Sequence, residues 1–178
     1  VATTLSRIAL TALPAAVIGS TSGYAVTYLT VEEAQAAMFP GARLEPVSIT
    51  LTPAQRRSIE KASGIHVRQP TLQVWRADTG GWFFVDQVIG KHEFITYALA
   101  LSNEGAVRSV EILDYRETYG GEIRSEKWRD QFVGKTETAP LKLDRDIKNI
   151  SGATLSCRNV TDGIKRLLAT HALVLSKL

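Results

Sequence analysis

EFITYALALSNEGAVRSVEILDY, residues 93–115, decides the fold. Asn103-Glu104-Gly105 is a hairpin signal between two β-prone runs, Glu93 to Leu101 and Val107 to Tyr115. In the second run Val110, Ile112 and Asp114 alternate against Glu111 and Leu113, so one face is expected to meet a core. Upstream, Asp78-Thr79-Gly80-Gly81 is a turn cluster, and Trp82-Phe83-Phe84-Val85 begins another strand after it. A further strand is expected from about His66 to Arg76.

Helical signals flank these strands. Thr30-Val31-Glu32-Glu33 is a capping box that opens a helix to about Phe39, and Pro40-Gly41 stops it. Thr52-Pro53, a cap followed by proline at the first helical position, opens a second helix through Arg56, Ile59 and Ala62 to Gly64. Ser125-Glu126-Lys127-Trp128 reads as a capped short helix ending near Phe132, with Gly134 as its stop. The longest helical pattern runs from about Leu155 to Ser176, with Val160, Ile164, Leu167, Leu168, Ala172 and Leu175 at helical spacing. The expected class is α+β: an antiparallel sheet with flanking helices and a long C-terminal helix, plus an N-terminal hydrophobic segment.

With 178 residues, 44% apolar and 22% charged, the chain has globular composition and room for one domain with a short appendage. A net charge of +3, from 21 basic and 18 acidic side chains spread along the chain, lacks the basic stripe of a nucleic-acid binder. One cysteine, Cys157, excludes an internal disulfide and a cysteine-based metal cage. His66, His92 and His171 are scattered, so no metal ligand cluster is expected, and Cys-x-x-Cys-His for a c-type haem is absent. Redox chemistry in this chain would therefore need an organic cofactor. Gly134-Lys135-Thr136 resembles the end of a phosphate-binding P-loop, but Arg129 stands where its first glycine is required.

Residues 1–29 are expected to be a signal-like segment or membrane anchor, and 30–178 the folded domain. Arg7 precedes the apolar run Ile8 to Ile18, and Gly23 and Ala25 are spaced like the exit of a secretory signal. A membrane span needs about 20 mainly apolar residues, a length reached here only by including Ser20 to Tyr24. A cleaved signal, a retained N-terminal anchor and an ordinary buried helix are the readings of this segment. Under the first two the rest of the chain is extracytoplasmic, either anchored in the inner membrane facing the periplasm or periplasmic after cleavage, with Arg7 on the cytoplasmic side.

The stretch that can carry chemistry is Asn149-Ile150-Ser151-Gly152-Ala153-Thr154-Leu155-Ser156, immediately before the long C-terminal helix. Hydroxyls, a flexible glycine and a small alanine at a helix start suit a phosphate, because unpaired N–H groups and partial positive charge gather there. The same residues also suit an ordinary cap, with Ser151 or Thr154 closing the helix start.

Ser151-Gly152-Ala153-Thr154 before a long helix resembles the FMN-binding domain family of the C subunit of sodium-pumping NADH:quinone oxidoreductase and the G subunit of Rnf complexes. Two further segments are similar to that family in order and spacing. Tyr115-Arg116-Glu117-Thr118-Tyr119-Gly120-Gly121 is similar to its Glu-Thr-Pro-Gly segment, and Trp128-Arg129-Asp130-Gln131-Phe132-Val133-Gly134-Lys135 to its Trp-x-x-Gln-Phe-x-Gly-Lys. The resemblance covers roughly residues 85 to 175. It implies FMN esterified through its phosphate to Thr154 by a flavin transferase, with Ser151, Gly152, Ala153 and Leu155 around the phosphate. Glu117, Thr118, Tyr119 and Gly120 would then lie against the flavin ring.

It further implies an extracytoplasmic electron-transfer subunit whose partners are other redox subunits or cytochromes of a membrane complex. No catalytic residue is expected. Two positions depart from the family pattern. Lys148 stands where an acid usually precedes the motif, the nearest acid being Asp146, and Tyr119 stands in place of proline. Tyr119 could stack on the flavin or pack within its own loop. A flavin-dependent reductase of a small acceptor and a flavin-free binding or scaffold module are the rival functions. Cys157 is expected to be a buried, apolar cysteine, and His92 a surface or strand-packing residue.

Overall fold

The computed structural model describes residues 26–178, so the apolar run over residues 8–18 and the small-residue exit after it lie outside the described residues. Among the described residues no helix is long and apolar enough to cross a membrane. The chain begins with a short strand β1 (Val26–Thr27) and helix α1 (Val31–Met38), then β2 (Leu44–Pro46), β3 (Ile49–Thr50) and helix α2 (Pro53–Ser63). Four longer strands follow: β4 (Thr71–Ala77), β5 (Trp82–Ile89), β6 (Phe94–Leu101) and β7 (Val107–Tyr115). A short helix α3 (Glu126–Arg129) continues as a 3-10 turn over Asp130–Phe132, and α4 (Thr154–Leu173) ends in a 3-10 turn over Leu175–Lys177.

The sheet is antiparallel throughout, in the order β1-β7-β6-β5-β4-β2, with β3 pairing β4 off this path. It is the expected α+β architecture. The β6–β7 hairpin forms around Asn103-Glu104-Gly105 as the sequence suggests, but both of its faces are covered. Val110 and Ile112 enter the main core with Tyr97, Leu99, Val160, Ile164 and Leu167, on the side of α2 and α4. Leu113 is buried in a second core under α1, with Ala34, Phe39, Phe83 and Ala98. A register shift between Thr96 and Tyr97 places Ile112 opposite Tyr97 and Asp114 opposite Thr96, with Leu113 between them. Leu113 thus lies on the face opposite Val110 and Ile112, as alternation expects, and is buried because α1 covers that face. Past the shift it is Tyr115, not Asp114, that joins the main core.

The strand expected from His66 begins only at Thr71. The reason is local: side chains of α2 take the backbone groups that a neighbouring strand would use. The Val67 N–H donates to Glu60 Oε1 at 2.9 Å, and its carbonyl accepts from Arg56 Nη2 at 2.8 Å. Pro70, just before β4, has no N–H to offer a ladder.

The capping box expected at Thr30 is present, and the cap expected at Thr52 turns out to be a second box, completed by Gln55. Thr30 Oγ1 accepts from the Glu33 N–H (3.1 Å) while the Thr30 N–H donates to Glu33 Oε2 (2.8 Å). Thr52 and Gln55 repeat the exchange at 3.2 and 2.8 Å, and Gly64 closes α2 in the left-handed conformation at φ +75°. Each such cap contributes about 1 kcal/mol. Ser125 precedes α3 without a side-chain cap bond, so the capped start expected there does not form.

Candidate functional site

The longest helix, α4, starts differently. Its N-cap is Ala153, with no side-chain cap bond, and the first intrahelical N–H bond is that of Cys157 to the Ala153 carbonyl (2.9 Å). The N–H groups before it have no acceptor within the helix, and they carry the positive end of a 20-residue helix dipole. Neither hydroxyl expected as an alternative cap serves as one. Ser151 is exposed, and Thr154 lies inside the first turn, where its Oγ1 accepts from Asn149 Nδ2 at 2.9 Å. That bond orients the Thr154 hydroxyl and leaves its own hydrogen free to donate.

Two devices bring the chain to this point. Trp128 Nε1 donates to the Lys148 carbonyl (2.9 Å) and the Lys148 N–H donates to Gln131 Oε1 (2.7 Å), so both peptide groups of Lys148 are gripped by the Trp128–Gln131 pair. Gly152, at φ +82°, then turns the backbone into α4. The Lys148 side chain is exposed and is not part of the cleft lining described below. Asp146 is occupied elsewhere: its carboxylate accepts from the Leu141 and Lys142 N–H groups (3.1 and 2.7 Å) and pairs with Lys135 Nζ at 3.4 Å.

The segment after β7 packs directly against the start of α4. The Tyr115 hydroxyl donates to the Tyr119 carbonyl at 2.5 Å and lies 3.2 Å from Ser156 Oγ. Burial pushes the Tyr115 phenol above its ordinary value, which keeps it a protonated donor. Gly120, at φ +92°, approaches so closely that a Cβ there would lie 2.5 Å from the Ala153 Cβ and 2.6 Å from the Tyr115 hydroxyl oxygen. A glycine at 120 and an alanine at 153 are what allow the two segments to touch.

Between them is a cleft of about 340 Å3, lined by Lys91, His92, Glu117, Thr118, Tyr119, Gly152, Ala153, Thr154, Leu155 and Ser156. Of the residues expected from sequence, Thr154, Gly152, Ala153, Leu155, Glu117, Thr118 and Tyr119 meet here. Ser151 points into solvent, and Gly120 lies behind the wall as a packing contact. Tyr119 is 79% exposed and Leu155 43%, so the cleft offers large apolar surfaces still open to solvent. Cys157 is fully buried, as expected, and burial raises its thiol pKa, which leaves it unsuited as a nucleophile.

Sequence reasoning missed Lys91 and His92, and it named Ser156 only as the end of the Asn149–Ser156 stretch, with no role of its own. Lys91 and His92 sit in the turn between β5 and β6 rather than on a strand. The only local signal was Gly90, because the group that holds this turn in place is Glu117, far along the chain. The Glu117 carboxylate accepts from the N–H groups of His92 (2.6 Å) and Glu93 (3.1 Å). Burial pushes this carboxyl up, but the backbone donors of His92, Glu93 and Lys91, with the charge of His92, outweigh it and leave the pKa below the ordinary value.

A slightly larger cavity, about 370 Å3, lies between α4, β5 and the segment leading into β4. Its central charges are spent on each other: Arg166 Nη2 meets Asp86 Oδ2 at 2.5 Å, and the buried Tyr97 hydroxyl donates to the same oxygen at 2.6 Å. It contains none of the Ser151–Thr154 motif residues, nor Glu117, Thr118 or Tyr119.

No curated protein gives a significant match to the chain. Residues 90–169 match the FMN-binding domain family, a span that begins at the Gly90 turn, contains every residue lining the cleft and supports a flavoprotein with FMN as its cofactor.

Proposed function

We propose that the chain is an extracytoplasmic electron-transfer flavoprotein whose FMN is phosphoester-linked to Thr154. The observation that carries this reading is the uncapped start of α4, open to a cleft that lies within the FMN-binding match. The residues present fit the group. Free N–H donors and the helix dipole suit a phosphate dianion, and Gly152 and Ala153 leave the backbone accessible to it. Tyr119 and Leu155 offer the apolar surface that a planar ring system would cover.

When bound, FMN supplies one- and two-electron chemistry. The chain's own residues bind and orient. Asn149 aims the Thr154 hydroxyl, and the Trp128–Gln131 grip on Lys148 fixes the approach to it. Attachment would form a bond between Thr154 Oγ1 and phosphorus, releasing the hydroxyl proton and a leaving group from the flavin phosphate donor, and a flavin transferase is the partner that such a step requires. Other redox subunits or cytochromes of a membrane system would then deliver and remove electrons. The apolar run behind Arg7 supports export or anchoring.

Intact-mass measurement of the chain made alongside a flavin transferase tests the reading. The expected result is a gain of one FMN less one water, absent in Thr154→Ala. An unmodified mass with yellow colour that survives Thr154→Ala would replace the ester by tight noncovalent FMN, and a colourless chain would sink the flavoprotein reading.

A further inference from the structure

We propose that Glu117 is a positioning residue: it latches the Gly90–Glu93 turn so that Lys91 and His92 complete the cleft wall and make the site selective for the phosphorylated flavin. The inference rests on the flavin reading above and deepens it. A carboxylate at this place in the segment would be expected to face the ring, but its contacts run the other way, to the backbone of the β5–β6 turn. Gly90 is shaped for that arrangement, since a Cβ on it would collide with Glu117 Oε1.

A second tie holds the same turn from α4. Asn159 Nδ2 donates to the Ile89 carbonyl at 2.5 Å and lies 3.4 Å from the Gly90 carbonyl. With Gly90 N–H donating to the Glu93 carbonyl at 2.7 Å, the turn is fixed at its base and from both flanks. The exposed side chains of Lys91 and His92 are thereby kept in the lining that also contains Thr154. A lysine ammonium and the positive end of α4 in one cleft favour a phosphate-bearing ligand over its neutral relative.

The test uses the chain made without a flavin transferase, so that FMN binding is reversible, and reads amide hydrogen exchange together with affinity for FMN and riboflavin. Glu117→Ala and Gly90→Ala are each expected to speed exchange of the His92 and Glu93 amides about tenfold and to weaken FMN by a similar factor, the scale of lost hydrogen bonds to a charged group. Glu117→Gln, which keeps an acceptor oxygen, should recover most of both losses. Were the Glu117 charge acting on the ring itself, the glutamine and alanine variants would behave alike. Lys91→Gln should leave the amides slow to exchange while narrowing the preference for FMN over riboflavin. Unchanged exchange in Glu117→Ala, or faster exchange with FMN affinity unmoved, overturns the proposal. If the chain stays colourless even when made alongside a flavin transferase, the flavin reading falls, and unchanged exchange in Glu117→Ala overturns the latch independently of it.

Discussion

Helices α1 and α2 begin with their backbone donors satisfied by their own side chains, whereas α4 begins with donors that its own residues leave free. The contrast is not one of missing material, since Ser151 and Thr154 both stand beside the start of α4 and either could cap it. Neither does: Thr154 Oγ1 accepts from Asn149 instead, Ser151 is exposed, and the N-cap position falls to Ala153. A capped start serves folding alone. An uncapped start on the longest helix, with glycine and alanine around it, trades about 1 kcal/mol of local stability for a place where an anion can complete the cap.

The largest effect is expected where the α4 start is pressed against the segment after β7. Gly120→Ala would force an unfavourable φ of +92° and drive a Cβ into Ala153 and the Tyr115 hydroxyl. Strain and overpacking together should cost roughly 2–4 kcal/mol, read as a lower midpoint in chemical denaturation, with FMN uptake falling in the same variant. If Gly120→Ala is neutral for both, the two segments do not need their close contact and the cleft is not built as described.

A smaller pair of substitutions separates the two kinds of helix start. Thr52→Ala removes the α2 cap, and should cost about 1 kcal/mol of stability while leaving flavin attachment unchanged. Thr154→Ala removes no cap and introduces a good helix former, so its stability should move by less than about 0.5 kcal/mol while the attached flavin is lost. Denaturant midpoints and intact masses of the two variants decide the matter. A large stability loss in Thr154→Ala would mean that Thr154 is an ordinary structural residue after all.

What could be read from the sequence follows the same division between local and distant causes. The caps at Thr30 and Thr52 are exchanges within four residues, so the threonines announce them, although the return bond from Gln55 to Thr52 was seen only in the structure. The hairpin at Asn103 and the run Val107–Tyr115 were equally legible, because turn chemistry and β-propensity agree there. The strands β1, β2 and β3 have only two or three residues each, and they exist because β7 and β4 offer them an edge. Thr154 stood out through its neighbours in sequence, but the role of Ser151 could not be judged without the backbone turn at Gly152. Lys91 and His92 were invisible for a stronger reason. Their placement depends on a carboxylate some 25 residues away, and the contact carries no sequence pattern of its own.

The smallest expected effect distinguishes the two regions by pH. The cap of α2 uses Gln55, an amide that does not titrate, whereas the latch beside α4 uses the Glu117 carboxylate. Burial acts to raise the Glu117 pKa, but the three backbone donors and His92 bring it below the ordinary carboxylate value of about 4.3. The folded chain therefore holds its proton less readily than the unfolded chain does. The stabilisation from the latch is fully present above the unfolded value, and is lost as pH falls from there through the lower folded value. Exchange of the His92 and Glu93 amides, corrected for the intrinsic pH dependence of exchange, should accelerate over that acidic window, while amides in the first turn of α2 keep their protection. The difference should vanish in Glu117→Gln, whose latch has no carboxylate to protonate. Parallel loss of protection in the β5–β6 turn and in the first turn of α2 would point to global acid unfolding, and would break the contrast between the two regions.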